Sequence, residues 1–171
     1  MAPHTRRRIC LIGPESTGKT ELAQRLAREL GVEWSAEYAR EYAEARGNGL
    51  CAADVETIAH GQIANEDRVT GDLVILDTDL VSTVVYARHY YGSCPEWIER
   101  AARERRADLY LLFDTDVPWT PDPARDASGD VREDQFDAFR ATLDEFEASW
   151  QIVSGDFEAR FLSVLRRLTT S

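Results

Sequence analysis

The sequence predicts an α/β fold of three layers, in which a parallel sheet of about five strands lies between two layers of helices. Short apolar runs alternate with helical patterns along nearly all of the 171 residues, and this alternation is typical of a parallel sheet. The runs contain few polar residues, as expected for strands that are buried on both faces. Glycine or aspartate directly follows several runs, at the end of a strand where ligands bind in open parallel sheets.

Five apolar runs predict the strands. The clearest are 8–12 and 73–76, in which most residues are aliphatic. A glycine and an aspartate, Gly71 and Asp72, form a turn signal directly before the second of these runs. In chain order the predicted strands are residues 8–12, 32–36, 73–76, 108–113 and 150–153.

Seven stretches with helical periodicity predict the helices. In the first, Leu22, Leu26 and Leu30 are four residues apart, and Gly31 follows as a stop signal. The segment 117–131 is rich in proline, aspartate and arginine, and it predicts a loop. In chain order the predicted helices are residues 21–30, 37–46, 52–69, 80–91, 95–106, 133–149 and 157–168.

The stretch between the first strand and the first helix, GPESTGKT, matches the phosphate-binding pattern G-x-x-x-x-G-K-[ST] at every fixed position. Its strand–loop–helix setting favours a P-loop, and hence a P-loop NTPase fold, over a surface glycine turn. Gly13 and Gly18 permit backbone angles and close approaches that a side chain would block, so that N–H groups can face a polyphosphate. ATP is therefore an expected cofactor. Its expected contacts are Gly13, Pro14, Glu15, Ser16, Thr17, Gly18, Lys19 and Thr20.

Lys19 is the only lysine of the chain. Genome composition can explain an excess of arginine, but it does not explain why one lysine stays at this position. A compact ammonium fits between phosphates where a planar guanidinium does not. We expect Lys19 to contact the β- and γ-phosphates and the Thr20 hydroxyl to bind Mg²⁺. Asp77 directly follows an apolar strand, as a Walker-B-type acid does, and is expected to hold the same ion.

Other polar residues follow the predicted strand ends. Glu37 can accept the proton of an attacking hydroxyl or bind sugar hydroxyls, and Arg40 lies on the same helical face. An ordinary ion pair on a solvated helix is the alternative for these two residues. Asp79, two residues after Asp77, can either face a substrate or cap the next helix.

A lid is predicted at about residues 117–132. A kinase needs such a cover because water would otherwise compete with the acceptor. Arg125 lies within this segment and Arg132 ends it. The guanidinium of an arginine in a mobile segment can stabilise the negative charge on a phosphoryl group during transfer. A solvent loop whose arginines pair with its own aspartates is the alternative. Trp119 and Tyr38 can stack on a flat base or a cationic ring, and packing in the core or against a helix is the alternative for these aromatic residues.

Composition narrows the classes of partner. The formal net charge of −11 argues against nucleic acid or an anionic membrane as the main partner. No apolar run approaches the length of a membrane span and the first residues lack the apolar core of a signal peptide, so a cytoplasmic location is expected. The three cysteines form no C-x-x-C motif and predict neither a zinc site nor a disulfide framework. The length favours a single domain, residues 1–171.

Together these motifs resemble the nicotinamide riboside kinase domain of the NadR family, in order and rough spacing across nearly the whole chain. The resemblance implies a P-loop kinase fold and Mg-ATP-dependent phosphorylation of the ribosyl 5′-hydroxyl, which gives nicotinamide mononucleotide. The expected partners are therefore ATP and a nucleoside-like small molecule. The residues that carry the resemblance are GPESTGKT, EYARE at 37–41, Gly61-Gln62, Asp77-Thr78-Asp79, PWTPD at 118–122, Arg125-Asp126 and Arg132.

The resemblance also implies roles for single residues. Glu37, Arg40 and Asp77 would face the acceptor and the metal, and Gly155, in the turn 154–156, would contact adenine through its backbone. Arg125 and Arg132 would belong to the lid. Relatives tend to have an aromatic residue or a proline directly before the Glu-Tyr pair, whereas this chain has Ala36. Trp34 lies on the same side of the predicted strand, and we expect it to contact the acceptor ring instead.

Two other activities fit the same motifs. One is a kinase for another nucleoside or small metabolite, because the loop, the lid and the acids would be the same. The other is a nucleotide-binding regulatory module with slow hydrolysis and a protein partner. The oligomeric state is not predicted by the sequence.

Overall fold

The computed structural model describes residues 6–47, 49–117 and 129–170. Within these residues, the five strands and seven helices follow one another in the predicted order, and a short 3₁₀ turn, Ala52–Asp54, precedes the third helix. The strands are β1 (Arg7–Ile12), β2 (Glu33–Ser35), β3 (Leu73–Asp77), β4 (Leu109–Phe113) and β5 (Trp150–Val153). The helices are α1 (Lys19–Leu30), α2 (Tyr38–Arg46), α3 (Val55–Arg68), α4 (Leu80–Tyr91), α5 (Glu96–Glu104), α6 (Gly129–Glu145) and α7 (Phe157–Thr169).

The five strands form one parallel sheet in the order β2-β3-β1-β4-β5, so the predicted α/β fold with a five-stranded parallel sheet is confirmed. The central strand, β1, pairs with β3 on one side and with β4 on the other, and Leu11 lies opposite both Asp77 and Leu111. The segment after β1 therefore emerges between the carboxyl ends of β3 and β4. This edge is where open parallel sheets bind their ligands.

Successive residues of β1 face opposite sides of the sheet and belong to two separate core clusters. Ile9 and Leu11 pack with apolar residues of α1 and α7. Cys10 and Ile12 pack with apolar residues of α3, α4, α5 and α6. All four side chains are completely buried. The sheet is thus covered by helices on both faces, and its rigid core fixes the loops at its carboxyl edge.

Helix α6 differs most from its predicted bounds. It begins at Gly129 rather than at residue 133, which corrects the prediction of a loop through residue 131 and places Arg132 in the first turn of a helix. The three prolines of the predicted lid all precede residue 124, so from Gly129 onward every residue retains the backbone N–H that a helix requires. The segment 118–128, which contains most of the predicted lid, lies outside the described residues.

The end of α6 also differs from the prediction. The helix ends at Glu145 rather than at residue 149. Glu147 has a positive φ of 52°, and the N–H of Ala148 donates to the carbonyl of Leu143 at 2.9 Å. This reversal satisfies a terminal helix carbonyl and turns the chain toward β5. The other elements agree with their predicted bounds to within three residues at each end.

Candidate active site

The loop between β1 and α1 is held tightly against the end of β4. Gly13 has a φ of +140°, and a Cβ atom there would lie 3.0 Å from the carbonyl oxygen of Phe113 and 3.1 Å from its nitrogen. At its other end Gly18, with a φ of 84°, precedes the first turn of α1. Both glycines adopt backbone angles that other residues rarely reach. The predicted P-loop therefore has the strand–loop–helix geometry that presents N–H groups to an anion.

The side chain of Lys19 folds back over this loop. Its Nζ donates to the carbonyl of Pro14 at 2.7 Å and lies 3.4 Å from the Thr17 hydroxyl. The Thr17 hydroxyl also donates to the Pro14 carbonyl, at 2.8 Å. The lysine is only 8% exposed, so its ammonium is held within the loop, where a phosphate oxygen can exchange with a carbonyl as its partner.

Thr20 and Asp77, the two residues that the sequence predicts as metal ligands, are in direct contact. The Thr20 hydroxyl donates to Oδ2 of Asp77 at 2.6 Å, and the Asp77 side chain is almost fully buried. A hydroxyl and a carboxylate are hard oxygen ligands of the type that Mg²⁺ prefers. Among the described residues, no group of three or more His, Cys, Asp or Glu side chains could hold a metal ion. This chemistry fits Mg²⁺ held by one or two protein oxygens together with substrate phosphates.

Arg132 extends from α6 to the phosphate-binding loop. Its guanidinium donates to the carbonyls of Ser16 at 3.3 Å, Thr115 at 3.2 Å and Val117 at 2.7 Å. The side chain is only 4% exposed, and within the described residues no carboxylate accepts from it. Burial, and secondarily the nearby Arg160 guanidinium, lower the pKa of Arg132. In the part of the chain that the structure describes, the hydrogen-bond partners of this positive charge are thus neutral carbonyl groups.

A second arginine, Arg160 of α7, reaches the same loop from the other side. No motif of the sequence predicted a role for this residue. Its guanidinium donates to the carbonyls of Gly155 at 2.7 Å, Asp114 at 3.1 Å and Thr17 at 3.3 Å. It also forms an ion pair with Asp116. Only 1% of Arg160 is exposed, so this side chain cross-links three segments of the carboxyl edge.

The same network positions the turn 154–156. The backbone N–H of Gly155 donates to Asp116 at 2.6 Å, while its carbonyl accepts from Arg160. The turn therefore lies beside the phosphate-binding loop. A sequence signal for Arg160 does exist, because it occupies a position four residues before Val164 on the buried face of α7.

The second group of predicted residues lies at the neighbouring strand end. Ser35, the last residue of β2, pairs with Leu76 of β3. Glu37 follows two residues later, directly before α2, and is 8% exposed. Asp77 directly follows Leu76. The sheet thus brings Glu37 and Asp77 to adjacent strand ends, and Arg40 lies in the first turn of the helix that begins after Glu37.

Tyr38, the first residue of α2, is held by α3. Its backbone N–H donates to the side-chain oxygen of Gln62 at 3.0 Å. Its ring lies against Gly61, where a Cβ atom would be only 2.1 Å from the ring. Tyr42 lies one turn further along α2, with its ring centroid 6.0 Å from that of Tyr38. An aromatic surface therefore adjoins Glu37 on α2.

The structure supports the capping interpretation of Asp79. Its Oδ1 accepts from the N–H of Val81 at 2.9 Å, at the start of α4, and its Oδ2 accepts from the Tyr110 hydroxyl at 2.6 Å. The residue is 3% exposed, and burial raises the pKa of its carboxyl group. Contact with a substrate would require one of these buried hydrogen bonds to break, so the prediction that Asp79 binds substrate receives no support.

Trp34 likewise packs away from the predicted acceptor. It pairs with Ile75 in the sheet, and its ring packs against the core cluster that α1 and α7 cover. This position follows from the alternation of β2, which directs Trp34 to that face of the sheet. The other aromatic and lid predictions, Trp119 and Arg125, lie outside the described residues.

The described helices contain no segment that combines the length and the apolar character of a membrane span.

Comparison with protein families gives one matching model, which is described as an AAA domain and covers residues 8–160. Among curated proteins, the chain is similar to the trifunctional NAD biosynthesis/regulator protein NadR of Escherichia coli K12 and to that of Salmonella typhimurium LT2. The identity is 27% in both cases, over 91% of this chain and 40% of the relative. The chain therefore spans less than half the length of these relatives.

Among solved structures, the chain is again similar to NadR proteins. A crystal structure of a NadR protein in complex with NR superposes with a TM-score of 0.81 and 26% identity, over 98% of this chain and 50% of that one. A crystal structure of NadR in complex with NAD and AMP-PNP gives a TM-score of 0.80. A thymidylate kinase from Ehrlichia chaffeensis, at 15% identity, has a TM-score of 0.69 over 96% of this chain and 99% of that chain. The last comparison shows that the fold is shared.

Proposed function

The chain belongs to the AAA domain family, and from that premise we propose that it is a kinase that transfers the γ-phosphoryl group of ATP to the 5′-hydroxyl of nicotinamide riboside. The similarity to NadR along nearly the whole chain supports this choice of reaction. The observation that carries the proposal is the buried Arg132 guanidinium, which contacts the carbonyl of Ser16 in the phosphate-binding loop and has no carboxylate partner among the described residues. Such a cation complements the charge of a phosphoryl group in transfer.

The nucleotide would lie along the loop 13–20. Its β- and γ-phosphates would accept hydrogen bonds from loop N–H groups and from Lys19, which would exchange its bond to Pro14 for bonds to phosphate. Arg132 would meet the γ-phosphate from the side of α6. The adenine would lie near Gly155, whose turn Arg160 holds beside the loop. Mg²⁺, held by Thr20 and Asp77, would neutralise charge on the phosphate oxygens when bound.

The acceptor would bind between α2 and the end of β3. In the reaction, a bond forms between the 5′-oxygen of the nucleoside and the γ-phosphorus, the bond from that phosphorus to the β–γ bridging oxygen breaks, and ADP leaves. The hydroxyl proton passes to Glu37, which lies beside Asp77 at the adjacent strand end. Tyr38 would provide an aromatic surface and Arg40 a polar contact. Roles in the lid for Arg125 and Trp119 are part of the same proposal.

The test is a phosphorylation assay with purified protein, Mg-ATP and a panel of nucleosides that includes nicotinamide riboside, with the monophosphates separated by chromatography and identified by mass. We expect nicotinamide mononucleotide and one equivalent of ADP. A Lys19→Ala variant should lose at least about 10²-fold in turnover, as when one preorganised donor is removed. Near-normal turnover by that variant would contradict the assignment of the P-loop.

A kinase for a different nucleoside is the second candidate, and one observation favours it. Trp34, which the sequence predicted to contact the acceptor ring, is partly buried and packs against the core cluster that α1 and α7 cover. Product from another nucleoside of the panel and none from nicotinamide riboside would select this candidate. Binding of ATP without any phosphorylated acceptor would instead support a regulatory nucleotide-binding module.

A further inference from the structure

The side chain of Gln62, in the middle of α3, lies between the strand ends that carry Glu37 and Asp77. It is 2% exposed. Its Oε1 accepts from the backbone N–H of Tyr38 at 3.0 Å, and its Nε2 donates to the backbone carbonyl of Thr78 at 3.3 Å. Tyr38 directly follows Glu37, and Thr78 directly follows Asp77. One buried amide group therefore joins the residues next to the two candidate functional carboxylates.

Strand pairing does not join the chain at Glu37 to the chain at Asp77. Pairing between β2 and β3 ends at Ser35 and Leu76, so no strand hydrogen bond fixes the chain at Glu37 relative to the chain at Asp77. The Gln62 amide takes the place of that missing pairing. Two side chains of α3 thus hold the backbone on either side of Glu37: Asn65 donates to the carbonyl of Ala36 at 3.2 Å, and Gln62 accepts from the N–H of Tyr38.

The two ends of the Gln62 amide are not interchangeable. Only an oxygen can accept from the N–H of Tyr38, and only an N–H can donate to the carbonyl of Thr78. The Nε2 group also donates to Glu66 at 3.4 Å, one turn further along α3. The partners therefore determine the orientation of the amide, and a glutamate at this position could satisfy the Tyr38 end alone when ionised.

Gly61, the residue before Gln62, also contacts Tyr38, through the aromatic ring. Gly61 has no side chain, and the Tyr38 ring occupies the space where a Cβ would lie 2.1 to 2.4 Å from the ring atoms. The pair Gly61-Gln62 therefore holds Tyr38 by its ring and by its backbone. Because Tyr38 begins α2, these contacts also set the direction in which α2 leaves the sheet.

We propose that Gln62 is a positioning residue for phosphoryl transfer, which fixes the Glu37 carboxylate relative to the strand end that carries Asp77. The inference rests on the proposed kinase function and adds a residue to its acceptor side. Gln62 acts through Tyr38 and Thr78 and does not touch the reacting groups. Its loss should therefore affect transfer to the acceptor and leave the nucleotide side, at residues 13–20, unchanged.

The test compares Gln62→Met, which removes both polar ends at similar length, with Gln62→Glu, which when ionised retains the acceptor for Tyr38. Steady-state kinetics are measured with whichever nucleoside of the panel the wild-type protein phosphorylates. We expect Gln62→Met to lower kcat with the nucleoside by about 10²-fold, as small misplacements of reacting groups do, and Gln62→Glu to lower it less. The dissociation constant of a non-hydrolysable ATP analogue and the rate of ATP hydrolysis without acceptor should stay unchanged.

Hydrogen exchange gives a readout that does not depend on turnover. The Tyr38 amide should exchange faster in Gln62→Met than in the wild-type protein, and should keep its protection in Gln62→Glu. Gln24→Met, at an exposed position of α1, is the control for the substitution itself. Thermal unfolding shows whether each variant folds. If Gln62→Met does not, Gln62→Glu decides the question alone: it should lower kcat with the nucleoside while the rate of acceptor-free ATP hydrolysis stays at the wild-type value.

Two results would overturn the inference. One is a parallel fall in nucleoside phosphorylation and in acceptor-free hydrolysis, which a merely structural role would produce. The other is an unchanged kcat in both variants of an active enzyme, which would leave the kinase function intact. A wild-type protein that phosphorylates no nucleoside would instead remove the proposed function and this inference together.

Discussion

The hydroxyl of Thr20 donates a hydrogen bond to the carboxylate of Asp77 at 2.6 Å, although the two residues are 57 positions apart in the sequence. Strand pairing explains this contact. Leu11 of β1 lies opposite Asp77 of β3, and the loop that follows β1 returns the chain to the same edge at α1. The bond joins the two residues that the sequence predicts to hold Mg²⁺.

Asp77→Asn tests this pair. The amide retains an oxygen that can accept from Thr20, so we expect the melting temperature to change little. Loss of the charge should raise the Mg²⁺ concentration needed for half-maximal nucleotide binding by about 10–100-fold, as for other disturbed metal sites. A titration of nucleotide fluorescence with Mg²⁺ measures this shift, and Asp72→Asn, exposed in the turn before β3, is the matched control. An unchanged Mg²⁺ requirement would remove Asp77 from the metal site.

Arg132→Ala should slow phosphoryl transfer more than it weakens ATP binding. The guanidinium is expected to meet charge that develops on the transferred group, an effect worth about 10³-fold or more in the best cases. Single-turnover rates and the dissociation constant of an ATP analogue separate the two effects. Arg140→Ala removes an exposed arginine of the same helix and should leave both values unchanged. A variant that loses binding but keeps its transfer rate would indicate a purely structural arginine.

Arg160→Leu should destabilise the fold and weaken nucleotide binding. It removes the partner of Asp116 and leaves the carbonyls of Thr17 and Gly155 without their donor. Breaking a buried pair costs about 3–5 kcal/mol, and because Asp116 is partly exposed we expect about 3 kcal/mol in denaturant unfolding. Arg166→Leu, at an exposed position of α7, is the control. Equal stability of the two variants would contradict the cross-linking role of Arg160.

Gly61→Ala sets two effects against each other. In the interior of a helix, alanine is more favourable than glycine by about 0.5–1 kcal/mol. Here the new methyl group would overlap the Tyr38 ring, and overpacking costs about 1–3 kcal/mol, so we expect a net loss of stability. The same substitution in a Tyr38→Ala background should stabilise the protein, since the ring is gone. Stabilisation in both backgrounds would show that the ring does not occupy this space.

The buried cluster around Glu66 should make stability depend on pH. Burial, reinforced by the Asp79 carboxylate, raises the pKa of Glu66 from 4.5 to about 7, although Arg8 and Arg105 oppose the shift. The folded protein therefore holds a proton between about pH 4.5 and 7 that the unfolded chain has lost, and its stability falls as the pH rises through this window. The full effect is about 3 kcal/mol.

Denaturant unfolding at several pH values measures this slope. Glu66→Gln should reduce it and leave the contribution of Asp79, whose pKa burial also raises. Glu104→Gln, at an exposed position of α5, serves as the control. The other groups that face Glu66 are Arg8 from β1, Arg105 after α5, Asp79 at the start of α4 and Gln62 on α3. A wild-type protein whose stability stays level or rises between pH 4.5 and 7 relative to Glu66→Gln would contradict the raised pKa.

Local patterns were sufficient to predict the elements of the fold and the phosphate-binding loop. The spacing of Leu22, Leu26 and Leu30 predicted the first helix, and the apolar run before Asp77 predicted β3, which pairs with the central strand. They were not sufficient for the roles of Asp79 and Trp34. An aspartate after a strand can either cap the next helix or contact a ligand, so the residue type of Asp79 does not distinguish the two roles. The alternation of β2 assigns Trp34 to one face of the sheet, but it does not show which elements cover that face.

What the sequence determined by itself was the content of each segment: which residues form strands, which loop can face phosphates, and which acid follows a strand. Only the tertiary structure decided which segments meet. Arg160 reaches Thr17 across 143 positions, and Gln62 joins the chain after Glu37 to the chain after Asp77. The physical reason is that helical and strand periodicity is a short-range property of the chain, whereas the partners of a buried polar side chain depend on how the sheet orders its strands.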